Sequence, residues 1–218
     1  MSAIGQIARK VAARMPRSRV LLRGEGPPSN AIALTFDDGP HAEHTPMILD
    51  CLDRFDAKAT FFVQGDHATR LPHLVREIHA RGHQLGNHGY SHASVRRIGS
   101  FLHVAEVRRT HRLLESIVGS PLSRCFRPPY GDWSLISFAL LTTQGYQFAF
   151  WSMDSDDSHV KDSDALAAHV LQKLPAPGEI LLFHEDYQQT VAALPSVLSQ
   201  LGGDGTRFVR VMDLGVAT

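Results

Sequence analysis

Cysteine is nearly absent from the chain. Cys51 and Cys125 are the only two in 218 residues, and neither stands in a C-x-x-C pair. That argues against a disulfide framework and leaves both as small buried core residues. Net charge is absent too: lysine plus arginine number 22, and so do aspartate plus glutamate. No overall field therefore draws the protein to nucleic acid or to an anionic membrane. No apolar run is long enough to cross a bilayer. The first 25 residues lack the uninterrupted apolar stretch of a secretory signal, which points to the cytoplasm. No G-x-G-x-x-G follows the first predicted strand, so a dinucleotide site is not indicated.

What the opening segment does contain is Arg9, Lys10, Arg14, Arg17, Arg19 and Arg23 against one acid, Glu25. Ile4, Ile7, Val11 and Met15 recur at helical spacing, so the segment is basic and amphipathic. It is expected to pack as a helix on the body of the protein, with peripheral contact to a membrane surface as the alternative. The organisation is then a basic segment over residues 1–28 and one domain over 29–218.

Within that domain strand and helix signals alternate. Strands are predicted at Ile32–Asp37, Thr60–Gln64, Gln84–Asn87, Arg124–Arg127, Gln147–Met153, Ile180–His184 and Phe208–Met212. A helix falls in each gap: Thr45–Phe55, Pro72–Arg81, Phe101–Val118, Ser134–Gln144, Asp164–Leu174 and Val191–Leu201. Thr45 and Ser100 read as N-caps, and Gly82, Gly119 and Gly145 as stops. Repeated βα units imply a parallel α/β sheet, closed into a barrel or left open as a doubly wound sheet.

The polar residues fall at the C-terminal ends of these strands. Asp37 and Asp38 end the first, in "TFDDGP". His88 and His92 follow the third, Arg127 ends the fourth, Asp154 follows the fifth and His184 ends the sixth. In a parallel barrel all these ends lie on one face, the face that carries active sites. His88 and His92 are four apart and share one side of a helical turn. Two imidazoles and a carboxylate suit a divalent transition metal with a position left for water, and a second carboxylate can take the water's proton. His184 can protonate a leaving group, and Arg127 can hold a carboxylate through bidentate contacts. Taken singly each piece also reads as structural: thirteen histidines make some H-x-x-x-H pairs by chance.

These residues carry a resemblance. "TFDDGP" at Thr35–Pro40, His88–His92 in "HGYSH", Arg127-Pro128-Pro129-Tyr130, and Leu181–Glu185 in "LLFHE" stand in the order of the motifs of the polysaccharide deacetylases, carbohydrate esterase family 4, the NodB-homology domain. The chain resembles that family from about Ala31 to its C-terminus. The resemblance implies an irregular (β/α)7 barrel with parallel strands. It also implies a metal-dependent hydrolase that removes N-acetyl groups from N-acetylhexosamine units of oligo- or polysaccharides. O-deacetylation and, further off, a non-catalytic carbohydrate-binding relative are the alternatives. Asp38, His88 and His92 would hold zinc, or else cobalt or nickel. Asp37 would be the general base, held by Arg127, and His184 the general acid. The Tyr130 N–H would face the oxyanion, Leu182 would line the acetyl pocket, and Trp133, in "PYGDW", would meet substrate. The chain departs from the family's W-x-x-D-x-x-D-W pattern: Trp151, Asp154 and Asp157 fit, but Ser158 replaces the last tryptophan. Asp154 is expected to partner His184, with Asp157 in reserve.

Overall fold

Burial along Ala31–Asp37 shows how the layers form. All seven residues are buried, but they divide between two cores. Ile32, Leu34 and Phe36 belong to the core under the helices, whereas Ala31 and Ala33 belong to the core inside the curl of the sheet. This is the period-2 alternation of a strand covered on both faces. The computed structural model describes residues 16, 18–24, 30–173 and 175–214. Among these, one parallel sheet is formed by β1 (Val20–Leu21), β2 (Ala31–Asp37), β3 (Thr60–Val63), β4 (Gln84–Asn87), β5 (Cys125–Phe126), β6 (Gln147–Ala149), β7 (Met153–Asp154), β8 (Ile180–His184) and β9 (Arg207–Val209). The helices are α1 (His44–Arg54), α2 (Gly65–Arg70), α3 (Pro72–Ala80), α4 (Val95–Ile98), α5 (Ser100–Val118), α6 (Leu135–Thr142), α7 (Ser163–Gln172) and α8 (Gln188–Gly203).

Strand order is β1-β6-β5-β4-β3-β2-β8-β7, with β9 also paired to β2. One short stretch of chain shows that this sheet curls. β6 lies next to one end of the order and β7 at the other, yet only Phe150, Trp151 and Ser152 separate them. Four Cα steps reach at most about 14 Å, so the two ends must approach each other. Arg127 fills the seam from inside: its Nε donates to Ala149 O at 3.2 Å and its Nη2 to Phe150 O at 3.0 Å. The single predicted strand Gln147–Met153 is thus two strands, because the chain leaves β5 and β1 to pair with β8. The expected irregular (β/α)7 barrel is the fold observed.

Small residues make room for the large ones within the curl. A Cβ on Gly86 would overlap the ring of Phe62. The Arg127 guanidinium stacks 4.0 Å above that same ring. Glycine in β4 is therefore the condition for an aromatic and an arginine to share the barrel interior.

Other differences are local. β1 lies inside the segment read as separate and pairs with β6, Val20 opposite Phe148. Ile4, Ile7, Val11 and Met15 lie outside the described residues. The two short helices α2 and α4 were not expected, since "GDHATR" and "VRRI" are too short to show a period. Ser134 caps α6 instead of starting it: its Oγ accepts from Ser137 N at 3.0 Å. Cys51 and Cys125 are both free and buried, as expected. No described helix is long and apolar enough to cross a membrane.

Candidate active site

A cleft of about 560 Å³ opens where the strands end, and Asp37, Asp38, His88, His92, Tyr130, Asp154, Leu182 and His184 all line it. Among the described residues five non-glycine ones have left-handed φ: Asp38, Asp56, His92, Tyr130 and Asp156. Three of them line the cleft and a fourth precedes Asp157, so backbone strain is concentrated where side chains must be aimed. Asp38, at φ 70, is the bend that lets two neighbouring carboxylates face one site. Gly39-Pro40, a cis peptide, follows it.

His88 and His92 do not sit on a helical turn. They flank an irregular loop in which Gly89 (φ 78) and His92 (φ 56) are both left-handed. Asn87 shapes that loop: its Oδ1 accepts from Gly89 N at 2.9 Å and its Nδ2 donates to Val107 O at 2.7 Å. The result still brings the imidazoles together, with ring centroids 5.0 Å apart.

The donor set fits a metal. One atom each from Asp38, His88 and His92 lies within 4.8 Å of the others. His88 Nδ1 is 2.8 Å from the Arg127 carbonyl, an acceptor only, so Nδ1 carries the proton and Nε2 offers its lone pair toward the cleft. His92 Nε2 is 3.2 Å and His88 Nε2 3.6 Å from Asp38 Oδ1. The Gln64 amide donates to that same oxygen at 2.8 Å. Burial works to raise the Asp38 carboxyl, but His88, His92, His184 and Gln64 outweigh it and hold it below the usual range. Burial, aided by neighbouring His88, lowers the His92 imidazole and so favours its neutral, ligating form. Two imidazoles and one carboxylate leave open positions and suit a divalent transition metal.

Asp37 is held differently. Arg127 Nη1 donates to Asp37 Oδ1 and to Thr35 Oγ1, each at 2.8 Å, and the guanidinium is wholly buried. The contact is not the bidentate one expected, because Nε and Nη2 are committed to the seam carbonyls. Next to Asp37 in the strand register, His184 donates from Nδ1 to Asp157 Oδ1 at 2.7 Å, and Asp157 Oδ2 accepts from His184 N at 2.7 Å and Thr190 Oγ1 at 2.8 Å. Burial would pull this imidazole down. The Asp157 carboxylate, with Asp37 and Asp38 beyond, pushes it the other way, up to about 9.

Two further expectations differ from the structure. Asp154 is not the partner of His184. Its Oδ1 accepts from Asp156 N at 3.0 Å, and the left-handed turn at Asp156 carries Asp157 onto His184 instead. Trp133 does not line the cleft: its ring packs on Phe138 at 5.3 Å, and Trp151 takes a place in the lining. Ser158, where the family pattern has its last tryptophan, lines the cleft, and sequence reasoning missed Gln64, Asp132 and Tyr187. Gln64 and Tyr187 follow strands β3 and β8 closely enough that the strand-end rule had reached their neighbourhood. Tyr130 packs against His92 with ring centroids 4.6 Å apart and planes tilted by 54°, its own ring largely exposed.

Residues 24–149 match the family described as polysaccharide deacetylase. The chain belongs to that family. It is 36% identical over 188 residues to a peptidoglycan-N-acetylglucosamine deacetylase of Bacillus cereus, covering 84% of this chain and 87% of the relative. It is 33% identical over 204 residues to a chitooligosaccharide deacetylase of Sinorhizobium fredii, covering 88% and 91%. A crystal structure of a peptidoglycan N-acetylglucosamine deacetylase with a bound N-oxidanyl-benzamide superposes with a TM-score of 0.84 at 32% identity, covering 91% of this chain and 94% of that one. This polysaccharide deacetylase is thus a hydrolase of carbohydrate esterase family 4, built around a cleft with a candidate Asp-His-His metal site.

Proposed function

We propose that this deacetylase hydrolyses the N-acetyl group of N-acetylglucosamine units in an oligo- or polysaccharide, releasing acetate and a free amine. The relatives named above support that substrate class. The observation that carries the chemistry is the pairing of Asp37 with Arg127 and of His184 with Asp157 in the cleft that also holds the Asp38, His88 and His92 cluster. Asp38, His88 and His92 would hold a divalent ion, with zinc favoured by the imidazole-rich set over magnesium or calcium. Bound there, such an ion supplies Lewis acidity that polarises the acetyl carbonyl and lowers the pKa of water. Asp37 accepts the proton of the attacking water. Arg127 orients it and offsets its charge. His184, protonated and steadied by Asp157, gives its proton to the departing nitrogen. The Tyr130 N–H faces the developing oxyanion and Leu182 borders the acetyl methyl.

An amide nitrogen must be protonated to leave, whereas the phenoxide of an aryl acetate leaves with little help. Acetate release from an N-acetylglucosamine oligomer and from an aryl acetate tests the assignment in wild type and His184→Ala. The amide reaction is expected to fall by about 10²–10⁴-fold and the ester reaction by far less. Equal losses on both substrates would remove His184 as the acid. Release from O-acetylated but not N-acetylated sugars would replace the substrate.

A further inference from the structure

We infer that Glu185 is a positioning residue: its buried side chain is the wedge that fixes Gly39, and through it the direction in which Asp37 and Asp38 point. Glu185 is fully buried and takes no part in the chemistry proposed above. Its carboxyl lies directly over Gly39, where a Cβ would overlap it. Gly39 has no left-handed φ, so it is the Glu185 carboxyl and not the backbone that excludes a larger residue. The other contacts of Glu185 all lead to the same loop. Its N–H donates to Asp37 O at 3.0 Å. Its Oε2 accepts from Thr45 Oγ1, which in turn accepts from His41 N at 2.8 Å. Its carbonyl accepts from His44 Nδ1 at 2.7 Å. From the far side Gln64 N donates to Gly39 O at 3.0 Å, while the Gln64 side chain holds Asp38 Oδ1.

The loop carrying both carboxylates is therefore gripped between Gln64 and Glu185. Glu185 Oε1 has no hydrogen-bond partner among the described residues. A fully buried acid with one idle oxygen is a poor way to fill space, since an apolar side chain would avoid the desolvation. Its retention is explained by what the other oxygen and the carboxyl plane do, which is to link Thr45 and press on Gly39. This role also explains Thr45, the expected N-cap of α1: its hydroxyl serves the loop, and α1 begins one residue earlier at His44 without a side-chain cap.

The kinetic arm of the test rests on the deacetylase reading, and the metal arm does not. Zinc affinity by calorimetric titration and kcat and KM for an N-acetylglucosamine oligomer are measured for wild type, Glu185→Ala, Gly39→Ala and the double variant. Glu185→Ala is expected to lose about 10–100-fold in zinc affinity or in kcat at saturating zinc, the loss seen when an outer partner of a metal site is removed, with KM little changed. Gly39→Ala is expected to lose at least as much. The double variant should be no worse than Glu185→Ala, because the clash that punishes Gly39→Ala is gone. Glu185→Gln keeps the shape and should restore both readouts to near wild type. Should Glu185→Ala fail to fold, Glu185→Asp, which withdraws the carboxyl by one methylene, is expected to show the same pattern. Wild-type zinc affinity and kcat in Glu185→Ala, or multiplicative losses in the double variant, would overturn the inference. A wild type that binds zinc and releases no acetate would sink the deacetylase reading and leave the zinc coupling measurable.

Discussion

Asp37 and His184 occupy paired positions on neighbouring parallel strands, the last residues of β2 and β8. Side chains at paired positions point to the same face, so the register of one strand pair places a carboxylate and an imidazole side by side in the cleft. Each then has its own buried counter-charge, Arg127 for Asp37 and Asp157 for His184. The first prediction separates Asp37 from its sequence neighbour. Asp37→Asn should abolish turnover while leaving about one zinc per chain, since an amide cannot accept the water's proton but does not touch the ligand set. Asp38→Asn and His88→Ala should lose zinc first. Elemental analysis beside the acetate assay distinguishes the two, and exchanged phenotypes would mean the carboxylates are assigned the wrong way round.

A second prediction concerns stability. Arg127 is wholly buried and touches both the Asp37 carboxylate and the seam of the barrel. Removing one partner of a buried ion pair leaves an uncompensated charge and typically costs about 3–5 kcal/mol. Arg127→Met should therefore destabilise the fold by that order in urea unfolding, with two seam carbonyls also left bare. Adding Asp37→Asn to it should recover part of the loss. If the double variant is no more stable than Arg127→Met, the charge on Asp37 is not what Arg127 compensates.

The residues that were legible in the sequence share one property: they sit at strand ends. Asp37, Asp38 and His184 follow apolar runs, His88 and Arg127 follow short strands, and a parallel fold gathers those ends. Asp157 was not legible in this way. Three aspartates crowd the stretch from Asp154 to Asp157, and only a left-handed turn at Asp156 decides which one meets His184. Trp133 failed for a related reason, because "PYGDW" does not say on which side of the turn its last ring falls. The split of Gln147–Met153 into β6 and β7 depends on the closing of the barrel, a long-range geometric condition that no local pattern carries. Gln64 and Glu185 act through the loop they grip, so neither had a motif of its own role.

A third prediction follows from two histidines away from the site. Burial pushes the His103 imidazole down to about 4, with Glu106 opposing. Burial, with Lys58, Arg81 and Arg210 adding to it, does the same to His83. A histidine held neutral in the fold stabilises it above the unfolded value near 6.5, and that stability is lost as pH falls toward 4. Each unit of difference is about 1.4 kcal/mol, so each histidine should remove about 3 kcal/mol between neutrality and pH 4. Urea unfolding of wild type and His103→Phe at pH 7 and pH 4.5 checks this. The stability lost on acidification should be smaller in the variant, and an unchanged loss would mean that His103 titrates normally.

The last prediction uses His184, whose proton is raised to about 9 although burial alone would lower it. The acid must be protonated to act, so amide hydrolysis should be sustained below that value and fall about tenfold per pH unit above it. A cation held by Asp38 cancels that carboxylate's share of the shift, so in the metal-loaded enzyme the descending limb of kcat/KM lies at or below about 9. The hydrogen-bonded partner sets most of the rise. Asp157→Asn leaves burial without its counter-charge, and the limb should move down toward or below the ordinary histidine value near 6.5. At pH 8, about 1.5 units above such a limb, the variant should then have lost about 30-fold of amide activity, while an aryl acetate is hydrolysed nearly as before. Asp154→Asn, which removes a carboxylate from the cleft but not from His184, should leave the limb where it is. A limb that moves with Asp154→Asn and not with Asp157→Asn would restore the aspartate that the sequence favoured.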